Sequence, residues 1–419
     1  MASELIDRSS AWLSGEGPEA AVVVGSECSL LRDLADFPFL PRCSDSEKAS
    51  IEERIVGVLT SVGLLDEGRF YSLASIDCEA EAQILAERRL VTYARAEDID
   101  LPRAGPGRLL DRPEQRELSA TPVTAPQGVY VADDHSMSVM INGPEHLCVR
   151  VLVSGLQLQE AWARLNMADD TLASALDFAF DERYGYLTGD LAYAGTGFRI
   201  NVILHLPALA MTNAVHSLAD SAKTRRQRLQ GVRPMVAVRL CPRPVATNEV
   251  ASDSAPVKHL VGIVSEAIYG DLSGALCAAA EDARGDLYML SNTVTLGVSE
   301  EELVFDLRHF AAEIVKEEQQ ARETLLKEGA LRIEDRVARA VGLARSARLL
   351  SLSEALDMLS SIRLGVATGL VSDHRIVDIN RLLLDVQNGH VRMKAGGPCD
   401  EWAVSRERAN MIRARFCPN

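Results

Sequence analysis

Residues 101–128, LPRAGPGRLLDRPEQRELSATPVTAPQG, separate two stretches of different apolar period, and that change constrains the fold more than any other feature. Before the break, EKASIEERIVGVLTSVGLL and DCEAEAQILAERRLVTYA, within residues 47–93, repeat apolar residues at helical spacing. After it, GVYVADDHSMSVMINGPEHLCVRVLVSG alternates and is punctuated by turn residues, the pattern of half-buried strands. The Pro, Gly and Arg between them read as a linker, because Pro and Gly interrupt both helix and ladder. With 419 residues, two or three domains are expected rather than one core.

Further on, the spacing predicts a helix from about Asp169 to Glu182. A glycine-rich turn and strand follow in GYLTGDLAYAGTGFRINVILHLPAL (185–209), then one helix in LPALAMTNAVHSLADSAKTRRQ. Residues 241–257, CPRPVATNEVASDSAPV, read as a second loop. The stretch LGVSEEELVFDLRHFAAEIVKEEQQARETLLKE opens with a Ser299…Glu302 capping box and reads as one long amphipathic helix. The tail from Ser351 is expected to be mostly helical.

Charge and cysteine content exclude several functions. A formal net charge of -16 argues against a nucleic-acid partner, since phosphate backbones need clustered Lys and Arg. No apolar run reaches membrane-spanning length, and MASELIDRSSAWL lacks a signal-peptide pattern, so no membrane partner is expected. The 8 cysteines are scattered with no C-x-x-C pair, so no metal site and no disulfide framework are expected. A cytoplasmic location follows as the expectation.

Five ordered blocks carry a resemblance: residues 12–39, 138–162, 180–209, 285–303 and 332–365. They include WLSGEGPEAAVVVGSECSLLRDLADFPF, SVMINGPEHLCVRVLVSGLQLQEAW and GDLYMLSNTVTLGVSEEEL. In this order they resemble ATP:guanido phosphotransferases, most closely the bacterial protein-arginine kinase branch. The resemblance implies an α+β fold in four parts. A small N-terminal helical domain (1–105) and a linker (106–127) precede an antiparallel sheet flanked by helices (128–340), and a helical C-terminal region (341–419) follows, the part that in this branch binds phosphoarginine.

The implied reaction moves the γ-phosphoryl of ATP onto a guanidinium, which needs arginines and magnesium on the triphosphate and carboxylates on the guanidinium. This chain departs from that pattern position by position. In GSECSLLRDL, Glu27 and Ser29 stand where the family has two nucleotide arginines, leaving the outer Arg32. In NGPEHLCV, Gly143 and Pro144 replace two glutamates and Cys148 replaces an arginine, while His146 stays. In the glycine-rich turn Asp190 stands where a thiol would be, and Gly195, Gly197 and Arg199 match. In LCAAAEDARG, Ala279 falls at the second carboxylate and Gly274 at a preceding arginine; residues 260–278 do not match. Losing one electrostatic contributor typically costs about 10²–10³ in rate, so the resemblance implies a remnant phosphate site and no turnover by the family mechanism.

Substitute residues define an alternative, a divergent active phosphotransferase. Arg150 lies two residues from Cys148 on the same strand face, and Glu281, Asp282 or Asp190 can stand in as the acid; Glu145 faces away from Pro144. Mg-ATP is expected as a cofactor only in that case. Each acid has a plainer reading as a solvated charge, Arg199 as half of an ion pair with a nearby carboxylate such as Asp190, and His146 as a hydrogen-bonded structural histidine. At the C-terminus, VSRERANMIRARF keeps Arg408 and Ala409 of a phosphoarginine-binding motif, with Val404 and Ser405 in place of its Arg-Asp. The plainer reading there is an amphipathic helix with a basic face. The leading expectation is a degenerate kinase-like protein acting by binding, on an active protein-arginine kinase or a protease or chaperone system. It is expected to be a homodimer, with self-association sought in LLSLSEALDMLSSIRLG (349–365).

Overall fold

Ten consecutive buried residues, Val23–Arg32, form the strand around which the sheet is assembled. The computed structural model describes residues 6, 8–64, 68–73, 76, 79–91, 126–232, 283–396 and 400–417. In chain order its strands are β1 (Val23–Arg32), β2 (Gly68–Ser72), β3 (Gly128–Ala132), β4 (Met137–Ile141) and β5 (Leu147–Ser154). They continue with β6 (Phe180–Asp181), β7 (Gly185–Tyr186), β8 (Phe198–His205), β9 (Gln227–Gly231) and β10 (Leu287–Asn292). Eight of them make one sheet in the order β2-β3-β4-β5-β1-β8-β10-β9, and β6 and β7 form a small hairpin. Neighbours throughout the large sheet are antiparallel. The α+β class is as expected.

The content of residues 1–105 is not. That stretch supplies β1 at the sheet's middle and β2 at its edge. The alternation in VVGSECSLLR is hidden because Glu27 and Ser29 occupy one face and Cys28 and Leu30 the other, while every residue is buried. A strand covered on both faces loses the polar-out signal that sequence reading depends on. The expected helices of this region do form: α1 (Asp45–Ser61), with a Ser44–Glu47 capping box, and α2 (Glu79–Glu87).

Helix α3 (Leu158–Ala173) begins and ends earlier than expected. Its stripe of Leu158, Ala161, Leu165, Ala168 and Leu172 packs on the sheet. Beyond it, Ala179 N–H donates to the Asp33 carbonyl and Leu187 N–H to that of Ala179, which draws the chain into the β6–β7 hairpin. The single helix expected after β8 is two, α4 (Pro207–Met211) and α5 (Val215–Thr224). Asn213 divides them at a φ of 57°, which a right-handed helix does not accommodate.

The long helix is present as α6 (Glu300–Glu328), with its Ser299–Glu302 capping box formed. The C-terminal region adds α7 (Ala330–Ser346), α8 (Leu352–Ala367), α9 (Ile376–Asp385), α10 (Asn388–Lys394) and α11 (Glu401–Phe416) around a second apolar cluster. Segment 349–365, where self-association was expected, is mostly the interior helix α8: Ala355, Leu356, Met358, Leu359, Ile362 and Leu364 are all buried within the chain itself. Arg363 of this region and Arg322 of α6 meet at the segment leading into β1 and at the end of β8. Arg363 donates to the carbonyls of Ala20 and Ala21 and contacts His205, while Arg322 donates to Ala21 and His205 carbonyls. Most of the linker, and loop 241–257, lie outside the described residues. Among the described residues no helix is long and apolar enough to cross a membrane.

Candidate functional site

Strand parity sorts the candidate residues before any contact is considered. Residues paired across antiparallel strands share a face. Ser29 pairs with Arg150 of β5 and Arg199 of β8, Glu27 with Asn201, and Asn201 with Ser291 of β10. Glu27, Ser29, Arg150, Arg199, Asn201 and Ser291 therefore occupy one face of the central sheet. The opposite face carries Cys28, Leu30, Val149, Val151, Ile200 and Val202 and packs into the main core. Arg150 shares the polar face with Cys148, as its spacing implied.

Glu27 organises the polar face. Its carboxylate, fully buried, accepts from Arg89 Nε at 2.8 Å and Nη2 at 2.6 Å, and from Asn201 Nδ2 at 3.1 Å. Arg150 Nε lies 3.4 Å from its other side, at Oε1. Burial pushes the Glu27 pKa up, but Arg89, Arg150 and the hydrogen bonds outweigh it and hold the group below the usual carboxylate range. Arg89 reaches it from the end of α2 at a φ of 62°, where Leu90 N–H closes the helix on the Leu85 carbonyl. Glycine usually takes that position, and a side chain there costs about 1–2 kcal/mol. Ser29 Oγ is buried between Arg150 and Arg199 with no hydrogen-bond partner among the described residues.

Arg199 donates from Nη1 to the Asn292 carbonyl at 3.1 Å and sits 4.9 Å from the Tyr193 ring centre. The glycine-rich turn before it is packed on protein. A Cβ on Gly195 (φ 103°) would lie 2.4 Å from the Thr295 carbonyl oxygen. Gly195 N–H donates to Tyr186 and Thr196 N–H to Thr295. The turn's glycines thus answer a close approach of two backbones, and those two amides are committed to carbonyls rather than turned toward an anion.

Arg32, grouped with Arg199 and Arg150 in the sequence reading, is on the other face. Its guanidinium grips Asp169 of α3 at 3.2 and 2.7 Å and donates to the carbonyls of Leu31 and Thr196. Tyr186 stacks 3.5 Å from it. Its odd–even parity differs from that of Ser29, so it ties β1 to α3 instead of joining the polar face. His146 is structural: Nδ1 accepts from Leu34 N–H at 3.0 Å and Nε2 faces the Pro38 carbonyl at 2.9 Å. Burial lowers its pKa against the pull of Asp33, consistent with a neutral ring protonated on Nε2.

Asp190 caps its own turn through Ala192 N–H at 2.9 Å, and its own N–H donates to Glu145 at 3.0 Å. A Cβ on Gly143 would strike Met140 Sδ at 2.6 Å, so Met140 occupies the space a glutamate side chain would leave by. Glu281, Asp282, Ala279 and Gly274 lie outside the described residues. In the C-terminal region Arg408 is buried and donates to the Val386 and Leu350 carbonyls, both at 2.8 Å, and to Asn388 Oδ1 at 2.6 Å. It points inward as a tie between helices; burial lowers its pKa to about 10.

Sequence reasoning missed Arg89, Asn201, Asp33 and the burial of Glu145. Asn201 was within reach, being two residues after Arg199 on the same strand face. No local pattern signals the others, whose partners are distant in the chain.

Comparison with known proteins adds the family. Residues 50–236 and 275–321 match the family model of the ATP:guanido phosphotransferase C-terminal catalytic domain, and residues 330–418 that of the protein-arginine kinase McsB C-terminal domain. A protein-arginine kinase of Symbiobacterium thermophilum is 32% identical over 99% of this chain and 99% of its own length. One from Halothermothrix orenii is 29% identical over 99% of this chain and 98% of its own. The duplicated taurocyamine kinase from Schistosoma mansoni superposes with a TM-score of 0.50 at 17% identity, covering 78% of this chain and 39% of that one, a likeness of fold alone.

Proposed function

Because this chain belongs to the ATP:guanido phosphotransferase family, in its bacterial protein-arginine kinase branch, we propose that it is a catalytically degenerate member acting through binding. The observation that carries this reading is Glu27, a buried carboxylate on the face that bears Arg150 and Arg199, already paired with Arg89 and Arg150. Glu27 takes up the charge of guanidiniums that would otherwise face a triphosphate, and its own repulsion of an oxygen within 4 Å, about 4 kcal/mol per unit charge at an effective dielectric of ~20, offsets part of their attraction. Among the described residues, those on this face do not fit a magnesium-triphosphate, and no transfer step is derived through one.

Two further observations support the reading. Gly143 and Pro144 provide no carboxylate to orient a guanidinium. The carboxylate of Asp190, an acid within the glycine-rich turn, accepts from Ala192 N–H. What persists is scaffold: the sheet, the long α6 and the C-terminal helices. The proposed role is regulatory, on an active protein-arginine kinase or a protease or chaperone system of the cytoplasm, with the chain itself a homodimer.

The test is incubation of purified protein with Mg-ATP and an arginine-rich protein, with phosphoarginine sought by mass spectrometry. No transfer is expected, and no thermal stabilisation by millimolar Mg-ATP. Robust transfer that disappears in Arg199→Ala would refute the proposal in favour of a divergent phosphotransferase.

A further inference from the structure

Three segments distant in the chain meet at two buried carboxyl groups. Asp33 follows β1, Glu145 lies in the hairpin between β4 and β5, and Gly189 and Asp190 open the glycine-rich turn. We propose that Glu145, protonated beside the Asp33 carboxylate, acts as a latch that holds this turn against the sheet, so that the turn loosens when Glu145 loses its proton. The proposal stands whether or not the chain transfers phosphoryl groups.

The geometry requires the two groups to be neighbours. Gly189 N–H is 3.0 Å from Glu145 Oε2 and 3.3 Å from Asp33 Oδ2, so one donor faces both carboxyls. Glu145 Oε1 also accepts from Asp190 N–H at 3.0 Å, and Asp33 Oδ1 from His146 N–H at 2.9 Å. The shared Gly189 N–H places Glu145 Oε2 and Asp33 Oδ2 side by side. Ionised carboxylates are acceptors only, so a direct bond between the two would need a proton on one of them. Both side chains are about 1% exposed, and two adjacent carboxylates in such a place do not both ionise. Burial, then the bond to and the charge of Asp33, push the Glu145 pKa to about 9, against the pull of the two turn amides.

One titratable ring faces the pair: His146 Nδ1 lies 3.3 Å from Asp33 Oδ1, and burial lowers its pKa against the pull of that carboxylate. Among the described residues no Lys or Arg pairs with either carboxyl. His146, on the same hairpin, is held as a neutral ring by Leu34 and Pro38. Cys43, from the turn before α1, lies 3.8 Å beyond it and its thiol is pushed up by burial. Cys148 on β5 is likewise buried and raised. The Asp190 carboxylate turns to Ala192. The turn rests directly on the latch: a Cβ on Gly189 would lie 3.1 Å from Glu145 Oε2. At its outer end Leu191 is 86% exposed, so a loosened turn moves a solvent-facing apolar side chain.

Between the ordinary 4.5 of Glu145 and about 9, the latched turn holds one more proton than the open turn. Its opening constant then rises about tenfold per pH unit across that window. The test is amide hydrogen exchange of Gly189 and Asp190 in the full chain at pH 6, 7 and 8, corrected for intrinsic rates. Protection is expected to fall about tenfold per unit in wild type, while Phe310 and Ile314 in α6 stay flat. In Asp33→Asn the amide supplies its own donor and the slope should weaken, burial of Glu145 remaining; Glu145→Gln, which cannot ionise, should abolish it. A flat profile in wild type, or an undiminished slope in either variant, would overturn the latch, and the wild-type profile decides the matter even where neither variant folds.

Discussion

Glu27→Gln isolates the electrostatic core of the proposed function. The substitution keeps the shape and one acceptor but removes the charge that Arg89 and Arg150 share. Breaking a buried pair by deleting one partner typically costs about 3–5 kcal/mol, because the remaining charge is left desolvated. Here two guanidiniums lose one counter-charge, so the upper part of that range is expected. Against a total stability of about 5–15 kcal/mol, the urea midpoint should fall markedly. Arg89→Gly in the same background should recover part of the loss, since it removes one orphaned cation and the left-handed strain at φ 62°. The variant should also acquire a response the parent lacks. With its built-in anion gone, the face carries Arg89, Arg150, Arg199 and the Ser29 hydroxyl, so inorganic phosphate or triphosphate should stabilise it. At 100 times the dissociation constant that stabilisation would be about 2.7 kcal/mol. Because the Glu27 pKa lies below its unfolded value, its contribution is present above the unfolded pKa of about 4.5 and is lost as pH falls through the folded value. Chemical denaturation at neutral pH and near pH 4, with and without phosphate, measures all of this. A Glu27→Gln protein as stable as the parent, or equal stabilisation of both by phosphate, would refute the reasoning.

Asp169→Asn should destabilise the fold by about 3–5 kcal/mol by stranding Arg32 in the core, read as a lowered urea midpoint; an unchanged midpoint would show the ion pair to be dispensable. Arg408→Ala should lower stability by about 1–3 kcal/mol for each carbonyl left unpaired, with no rescue by free phosphoarginine in a thermal melt. Rescue by phosphoarginine in wild type, lost in the variant, would restore a binding role to that arginine. Gly195→Ala should cost more than about 1 kcal/mol, since its Cβ meets the Thr295 carbonyl at 2.4 Å; a melting temperature equal to the parent's would show the turn to be adaptable there.

Much of this molecule is written in short-range pattern. The alternation after Gly128 became β3, β4 and β5, and the Ser299–Glu302 box became the start of α6, because pleat and helical turn repeat over a few residues and leave a local trace. The residues alone likewise carry the expectation that Gly143, Pro144 and Cys148 stand where the family has Glu, Glu and Arg. Even the separation of Arg32 from Arg199 follows from strand parity once β1 is known. What needed the folded chain were pairings between segments with no shared period: Glu27 with Arg89, Arg32 with Asp169, Asp33 with Glu145 and Gly189. Whether an arginine grips a ligand or a neighbour depends on what the whole sheet and its helices bring within about 3 Å, and that is a property of three-dimensional closure, not of order along the backbone. For Arg408, as for Arg32, closure placed the guanidinium inside.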